Sequence, residues 1–99
     1  MIHKARKVIQ ERAMLHLNDP VIGQYREKLI ELLSRNKDET IHFLKSCSKD
    51  EILWISEVFE EIAYNLQSQD YIITLKECDK QYPDLNLTNI IETAESYMD

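Results

Sequence analysis

Residues that form tight turns are scarce in this chain, whose 99 residues include one glycine and two prolines. Domains built from β-strands need many tight turns, and such turns draw heavily on glycine and proline. Hydrophobic residues make up 43% of the chain, which is enough to form a core. We therefore predict an all-α fold with short polar links, formed as a single domain over residues 1–99.

Apolar residues recur at helical spacing in six segments, and no segment alternates as a β-strand does. The links are short, which predicts antiparallel neighbours in a compact bundle or in stacked helical hairpins. The first apolar stripe runs from Ile2 to Leu17, with Met14 beside it, and is predicted to face the core. The predicted helices cover residues 2–17, 20–35, 38–47, 49–67, 69–82 and 87–98.

The fourth predicted helix, residues 49–67, has the clearest signals. Ser48 followed by Glu51 forms a capping box, in which each side chain accepts a hydrogen bond from the other residue's backbone amide. Ser68 is predicted to cap the next helix, and Asn36 or Asp38 to cap the third. The core-facing stripe of residues 49–67 is spaced three and four residues apart and consists of Ile52, Ile55, Phe59, Ile62 and Leu66.

Opposite this stripe, the same helix combines large apolar residues with carboxylates. On a continuous helix, Leu53 and Tyr64 lie roughly opposite the core, and Trp54 lies near the boundary. One interpretation is a central helix that buries both faces, with Trp54 in the core. The other is an exposed surface of aromatic anchors in an acidic field, as expected for an interface with a basic protein. The carboxylates on this face are Glu57, Glu60 and Glu61.

Charge is unevenly distributed within a net charge of −6. Residues 1–35 carry seven Lys or Arg and four Asp or Glu, whereas residues 36–99 carry five Lys and fourteen Asp or Glu. An acidic excess repels phosphate and argues against direct nucleic-acid binding, while it attracts a basic partner. Alternatively, the acidity serves only solubility.

The sequence contains no motif that supports catalysis or a cofactor. Glycine-rich phosphate loops, nucleophile elbows, His-Glu-x-x-His and Cys-x-x-Cys are all missing. The three histidines are dispersed, with His3 and His16 at opposite ends of the first predicted helix and His42 on the third, so we predict no metal site and no enzyme. Without an export signal or an apolar run long enough to span a bilayer, we predict a cytoplasmic protein that does not enter membranes. Cys47 and Cys78 are then predicted to be reduced core thiols, with a disulfide as the alternative.

The segment Ser48–Glu61, SKDEILWISEVFEE, together with Tyr82–Leu87, YPDLNL, resembles the small helical immunity proteins of bacterial contact-dependent growth inhibition and related polymorphic toxin systems. This resemblance implies a cytosolic antidote that binds a toxin domain, often a nuclease, and blocks its active site. It also implies that carboxylates of the antidote take the positions of phosphates in a basic groove. The resemblance does not itself identify binding residues.

We therefore expect an immunity protein that covers the active site of a basic toxin with an acidic helical surface. The alternative is a regulatory or scaffolding module that self-associates or binds a partner helix, and the sequence leaves the oligomeric state open. The residues predicted to contact the partner lie on the fourth and fifth helices: Leu53, Trp54, Glu57, Glu60, Glu61, Tyr64, Glu77 and Asp79.

Overall fold

A computed structural model describes residues 2–99 and has the predicted all-α fold, with no strand in that range. All six predicted segments are helical over most of their length. The fourth is divided by a short 3-10 turn, so seven α-helices are present among the described residues. They are α1 (Ile2–Ala13), α2 (Ile22–Leu33), α3 (Lys37–Ser46), α4 (Lys49–Ile55), α5 (Phe59–Leu66), α6 (Gln69–Gln81) and α7 (Thr88–Ser96), with 3-10 turns at Ser56–Val58 and Pro83–Leu85.

The caps predicted for α3, α4 and α6 are confirmed, whereas α2 begins at Ile22 without a side-chain cap and not at Pro20 after an Asp19 cap, as the sequence predicts. The Ser48 hydroxyl accepts from the amide of Glu51 at 3.2 Å, and the Glu51 carboxylate accepts from the amide of Ser48 at 2.8 Å. The Ser68 hydroxyl caps α6 by accepting from the amide of Tyr71, and Asn36 rather than Asp38 caps α3. Because these side chains satisfy amides that lack partners within their own helix, they fix where α3, α4 and α6 begin.

The first helix is shorter than the predicted range 2–17, because it ends at Ala13. The amides of Met14 and Leu15 donate to carbonyls three residues back, which tightens and closes the last turn. The predicted inward stripe is therefore wrong at its C-terminal end, where Met14 is 86% and Leu17 is 82% exposed. These two residues lie in the connection of residues 14–21 that leads into α2.

The fourth predicted helix is interrupted at Ser56–Val58. The Ser56 hydroxyl donates to the carbonyl of Leu53 at 2.5 Å, and such short-range bonds compete with the regular helical ladder. Val58 has a φ angle of −125°, outside the helical range, before α5 begins. The interruption changes the helical phase, so residues of α4 and α5 do not share the single outer face that a continuous helix would give them.

The helices pack in pairs around one core. α1 contacts α2 and α4, α3 lies on α6, and α7 covers both α5 and α6. The radius of gyration is 12.5 Å, close to the roughly 13 Å expected of a compact domain of this length. The largest fully buried side chains are Tyr71, Phe43 and Phe59, and the Tyr71 hydroxyl donates to the carbonyl of Phe59 at 3.0 Å. This bond ties α6 to the first residue of α5 inside the core.

Candidate protein-binding surface

Two arginines of α1 bind two glutamates of the acidic half of the chain. Arg6 binds Glu51 at 2.8 Å and Arg12 binds Glu57 at 2.6 Å. In each pair the two residues are 45 positions apart in the sequence. The pair nearer the start of α1 is therefore also the pair nearer the start of segment 49–58. Segment 49–58 therefore runs parallel to α1, and part of its acidic charge is neutralised within the molecule.

Glu57 accepts hydrogen bonds from two arginines at once. Arg12 binds it in a bidentate manner, with Nε to Oε1 at 2.9 Å and Nη2 to Oε2 at 2.6 Å. Arg26 adds a bond from Nη2 to Oε2 at 3.1 Å. Burial alone raises the pKa of the Glu57 carboxyl, but the hydrogen bonds and charges of the two arginines outweigh it, and the net pKa is lowered.

Arg12 and Trp54 form the inner part of this cluster. Only 3% of Arg12 is exposed, and its guanidinium lies over the Trp54 ring, 4.7 Å from the ring centroid. Arg12 Nη1 is buried without a hydrogen-bond partner in residues 2–99, and the face of the indole offsets part of that cost. Trp54 itself is partly buried and packs against the core. Of the two interpretations of Trp54, the structure favours a mainly structural position.

The sequence indicates Trp54 as a free anchor and Glu57 as a steering charge. The structure instead holds both residues in the internal cluster with Arg12. Leu53 is exposed, but it lies on α4, before the 3-10 turn. Glu60, Glu61 and Tyr64 lie together on α5, after the turn. The predicted single face is thus divided, and its α5 part remains available to a partner.

A shallow depression brings the α5 residues together with a residue that sequence reasoning missed. It is lined by Glu60, Glu61, Tyr64 and Tyr97, which we name the acidic aromatic surface. Tyr64 is 60% exposed and Tyr97 is 48% exposed. Helical spacing in the last predicted helix permits either Tyr97 or Met98 to face inward, and the structure packs Met98 against the core. Tyr97 is thereby left to solvent beside Tyr64.

Gln67 holds the two edges of the acidic aromatic surface together. Its side-chain amide donates to the carbonyls of Tyr64 at 2.9 Å and Tyr97 at 3.0 Å, and its side-chain oxygen accepts from the amide of Asp99 at 2.8 Å. The Gln67 backbone has a φ of 48°, a left-handed conformation that favours glycine. The three side-chain bonds join the C-terminal ends of α5 and α7 and set the position of Tyr97.

The two glutamates of the acidic aromatic surface lie in the first turn of α5, and no cationic side chain among residues 2–99 pairs with them. In the range 2–99, neither Glu60 nor Glu61 takes part in an ion pair or a side-chain hydrogen bond. The C-terminal ends of α5 and α7 meet at its edge, and helix C-termini carry partial negative charge. The surface therefore presents two aromatic rings beside an electrostatic field that favours cations.

The two carboxylates predicted on α6 lie elsewhere. Glu77 is exposed, whereas the Asp79 carboxylate accepts from the Thr88 hydroxyl at 2.6 Å and so ties α6 to the first residue of α7. Asp79 lines a different depression, together with Lys76 and Lys80. The mixed charge of that region makes it a weaker match to a basic partner than the acidic aromatic surface.

Both cysteines are free, buried thiols. Burial is the main cause that raises the pKa of Cys47 to about 12, and that of Cys78 to about 11. Protonated buried thiols are poor nucleophiles and poor metal ligands at neutral pH. Over residues 2–99, no three His, Cys, Asp or Glu side chains are grouped so that they could hold a metal ion.

Comparison with protein-family models, with curated proteins and with solved structures finds no match to this chain. No helix within residues 2–99 has the length and apolar character needed to cross a membrane. The indications of function therefore come from the chain's own residues and from the geometry of its surface.

Proposed function

We propose that the protein binds a basic protein domain through the acidic aromatic surface. The observation that carries this proposal is the placement of two unpaired glutamates, Glu60 and Glu61, beside two exposed tyrosine rings. Tyrosine is enriched at the energetic centre of protein interfaces, because a rigid ring buries a large area at small entropic cost. The carboxylates accelerate capture of a positively charged partner and orient it.

The proposed partner is a toxin domain, in particular a nuclease, which the protein neutralises in the cytoplasm. Two lines support this choice: the resemblance carried by residues 48–61 and 82–87, and the charge that a nuclease needs. A nuclease groove is basic because it binds phosphate, so the carboxylates of an inhibitor can replace phosphates there. The protein then acts by steric and electrostatic block, and its own residues perform no chemistry.

The direct test is titration against a toxin domain encoded next to this protein's gene. Glu60→Lys combined with Glu61→Lys should weaken binding at least tenfold, mainly by slowing association. Tyr64→Ala combined with Tyr97→Ala should instead mainly speed dissociation.

Glu27→Lys combined with Glu92→Lys is the matched control, since both glutamates are exposed and lie outside the surface. The proposal fails if the control pair weakens binding as much as the Glu60 and Glu61 pair. It also fails if the toxin domain retains its activity when saturated with the protein.

A second proposal, self-association, is favoured by the loop of residues 14–21. Met14 and Leu17 are the most exposed large apolar residues described, and pairing two such loops would remove them from water. Light scattering should then show a mass that rises with concentration and returns to that of the monomer in Met14→Ser combined with Leu17→Ser. A constant monomer mass in the wild type would exclude this alternative.

A further inference from the structure

The groove between α1 and α2 has the opposite charge from the acidic aromatic surface. These helices form a hairpin joined by residues 14–21, and the groove lies between residues 4–11 and residues 28–35. Its floor is apolar, formed by Val8 and Leu32, which are almost completely buried. We name it the basic groove; its walls consist of Lys4, Lys7 and Glu11 on α1, and Lys28 and Glu31 on α2 with Arg35 just beyond its end.

The lysines of the basic groove have no internal partner. Glu31 is neutralised by Arg35, just beyond the end of α2, at 2.6 Å. No ion pair crosses the groove, and in the described range the remaining lysines are free of ion pairs. Three lysines then face one glutamate, Glu11, so the groove is positive although the protein is acidic.

The dimensions and pattern of the basic groove match a helix. The charged residues of the α1 wall fall at positions 4, 7 and 11, and those of the second wall at 28, 31 and 35, so each wall has the spacing of helical turns. The lining of the basic groove on α1 spans residues 4–11, about 11 Å at the α-helical rise, which a partner helix of three turns is long enough to cover. A three-turn amphipathic helix could place apolar side chains over Val8 and Leu32 and acidic side chains toward the lysines.

We propose that the basic groove binds an acidic amphipathic helix of another protein. A nucleic acid fits less well, because two glutamates stand in the walls, the floor is apolar and the net charge of the protein is −6. The proposal is independent of the toxin hypothesis, since it concerns a different surface and a partner of opposite charge. It makes the protein a two-sided binder, with an acidic surface on α5 and α7 and a basic groove on α1 and α2.

The test uses the full-length protein and a fluorescein-labelled synthetic peptide of about twelve residues, with leucines on one helical face and glutamates on the other. Fluorescence anisotropy measures its affinity. Lys7→Glu combined with Lys28→Glu changes one residue in each wall and should weaken binding about tenfold or more. Glu11→Gln removes the unpaired anion of the groove and should tighten binding. Because Glu11→Gln is expected to tighten binding where the lysine variant weakens it, the two results together distinguish an effect on the groove from a general loss of folding.

Lys45→Glu combined with Lys80→Glu is the matched control, because it changes net charge equally at exposed residues of α3 and α6. It should leave peptide affinity within about twofold of the wild type. An equal loss of peptide affinity in the control and groove variants would overturn the proposal, because it would indicate non-specific charge attraction. Tighter binding of a labelled single-stranded DNA would assign the groove to phosphate. Self-association that the groove variant abolishes would assign the groove to a second copy of the chain. Absence of peptide binding to the wild type would refute the proposal.

Discussion

Replacing Glu57 by alanine should be among the most destabilising changes to a partly exposed residue in this protein. The substitution leaves Arg12, only 3% exposed, with its charge buried and without a carboxylate partner. Removing one member of a buried ion pair costs about 3–5 kcal/mol. Because the Glu57 side chain is 20% exposed and water can enter the vacated space, we expect about 3 kcal/mol.

Urea unfolding followed by far-ultraviolet circular dichroism measures this loss. With a slope of about 1.5 kcal/mol/M, the midpoint should fall by about 2 M. Arg26→Met is the comparison, because Arg26 bonds to the same carboxylate but is 45% exposed, and its loss should cost less than about 1 kcal/mol. Arg12→Met combined with Glu57→Leu should recover most of the stability, since it removes both buried charges together. Equal costs for Glu57→Ala and Arg26→Met would refute the reasoning.

The same pair predicts how stability depends on pH. The pKa of Glu57 is lowered in the folded protein, so the unfolded chain takes up the proton first as pH falls. The carboxylate's contribution is complete above its unfolded pKa of about 4.3 and disappears as pH falls through the folded value. The stability difference between wild type and Glu57→Gln should therefore be constant near neutral pH and shrink below about pH 4.

Other substitutions test the core and the caps. Tyr71→Phe removes the buried hydrogen bond to the carbonyl of Phe59 and should cost about 1–2 kcal/mol, seen as a lower thermal midpoint; an unchanged midpoint would contradict that bond. Ser48→Ala should cost about 1 kcal/mol and speed hydrogen exchange in the first turn of α4, and unchanged exchange there would argue against the capping box. Cys47 and Cys78, buried and with raised pKa values, should react with a thiol-specific disulfide reagent only as fast as the protein opens, and rapid native-state labelling would contradict their burial.

Signals that depend on neighbouring residues predicted the fold well. The helix caps at Asn36, Ser48 and Ser68 depend on residues within a few positions, and the all-α class follows from helical spacing and scarce turn residues. Ser56 marks where this approach fails. Its backward hydrogen bond and the following turn divide a segment that contains no glycine or proline to indicate a break.

The candidate binding surface depends on contacts between residues that are distant in sequence, so it was only partly predictable from the sequence. Arg12 lies four residues after Val8 and three after Ile9, so it falls on the inward face of α1. That position is the signal in the sequence from which its burial could have been predicted. Its partner lies 45 residues away, so no local pattern could identify Glu57 as internally bound. Tyr97 joins Tyr64 through the side chain of Gln67, which no helical periodicity encodes.

The protein has a single tryptophan, and it lies against the guanidinium of Arg12. Its fluorescence emission is therefore a built-in reporter of whether α1 and α4 remain docked. The tyrosines of the acidic aromatic surface belong to other helices, so a ligand that covers them need not alter the indole signal. A spectroscopist can thus monitor the integrity of the α1–α4 junction during binding experiments at the α5–α7 surface without attaching a dye to the protein.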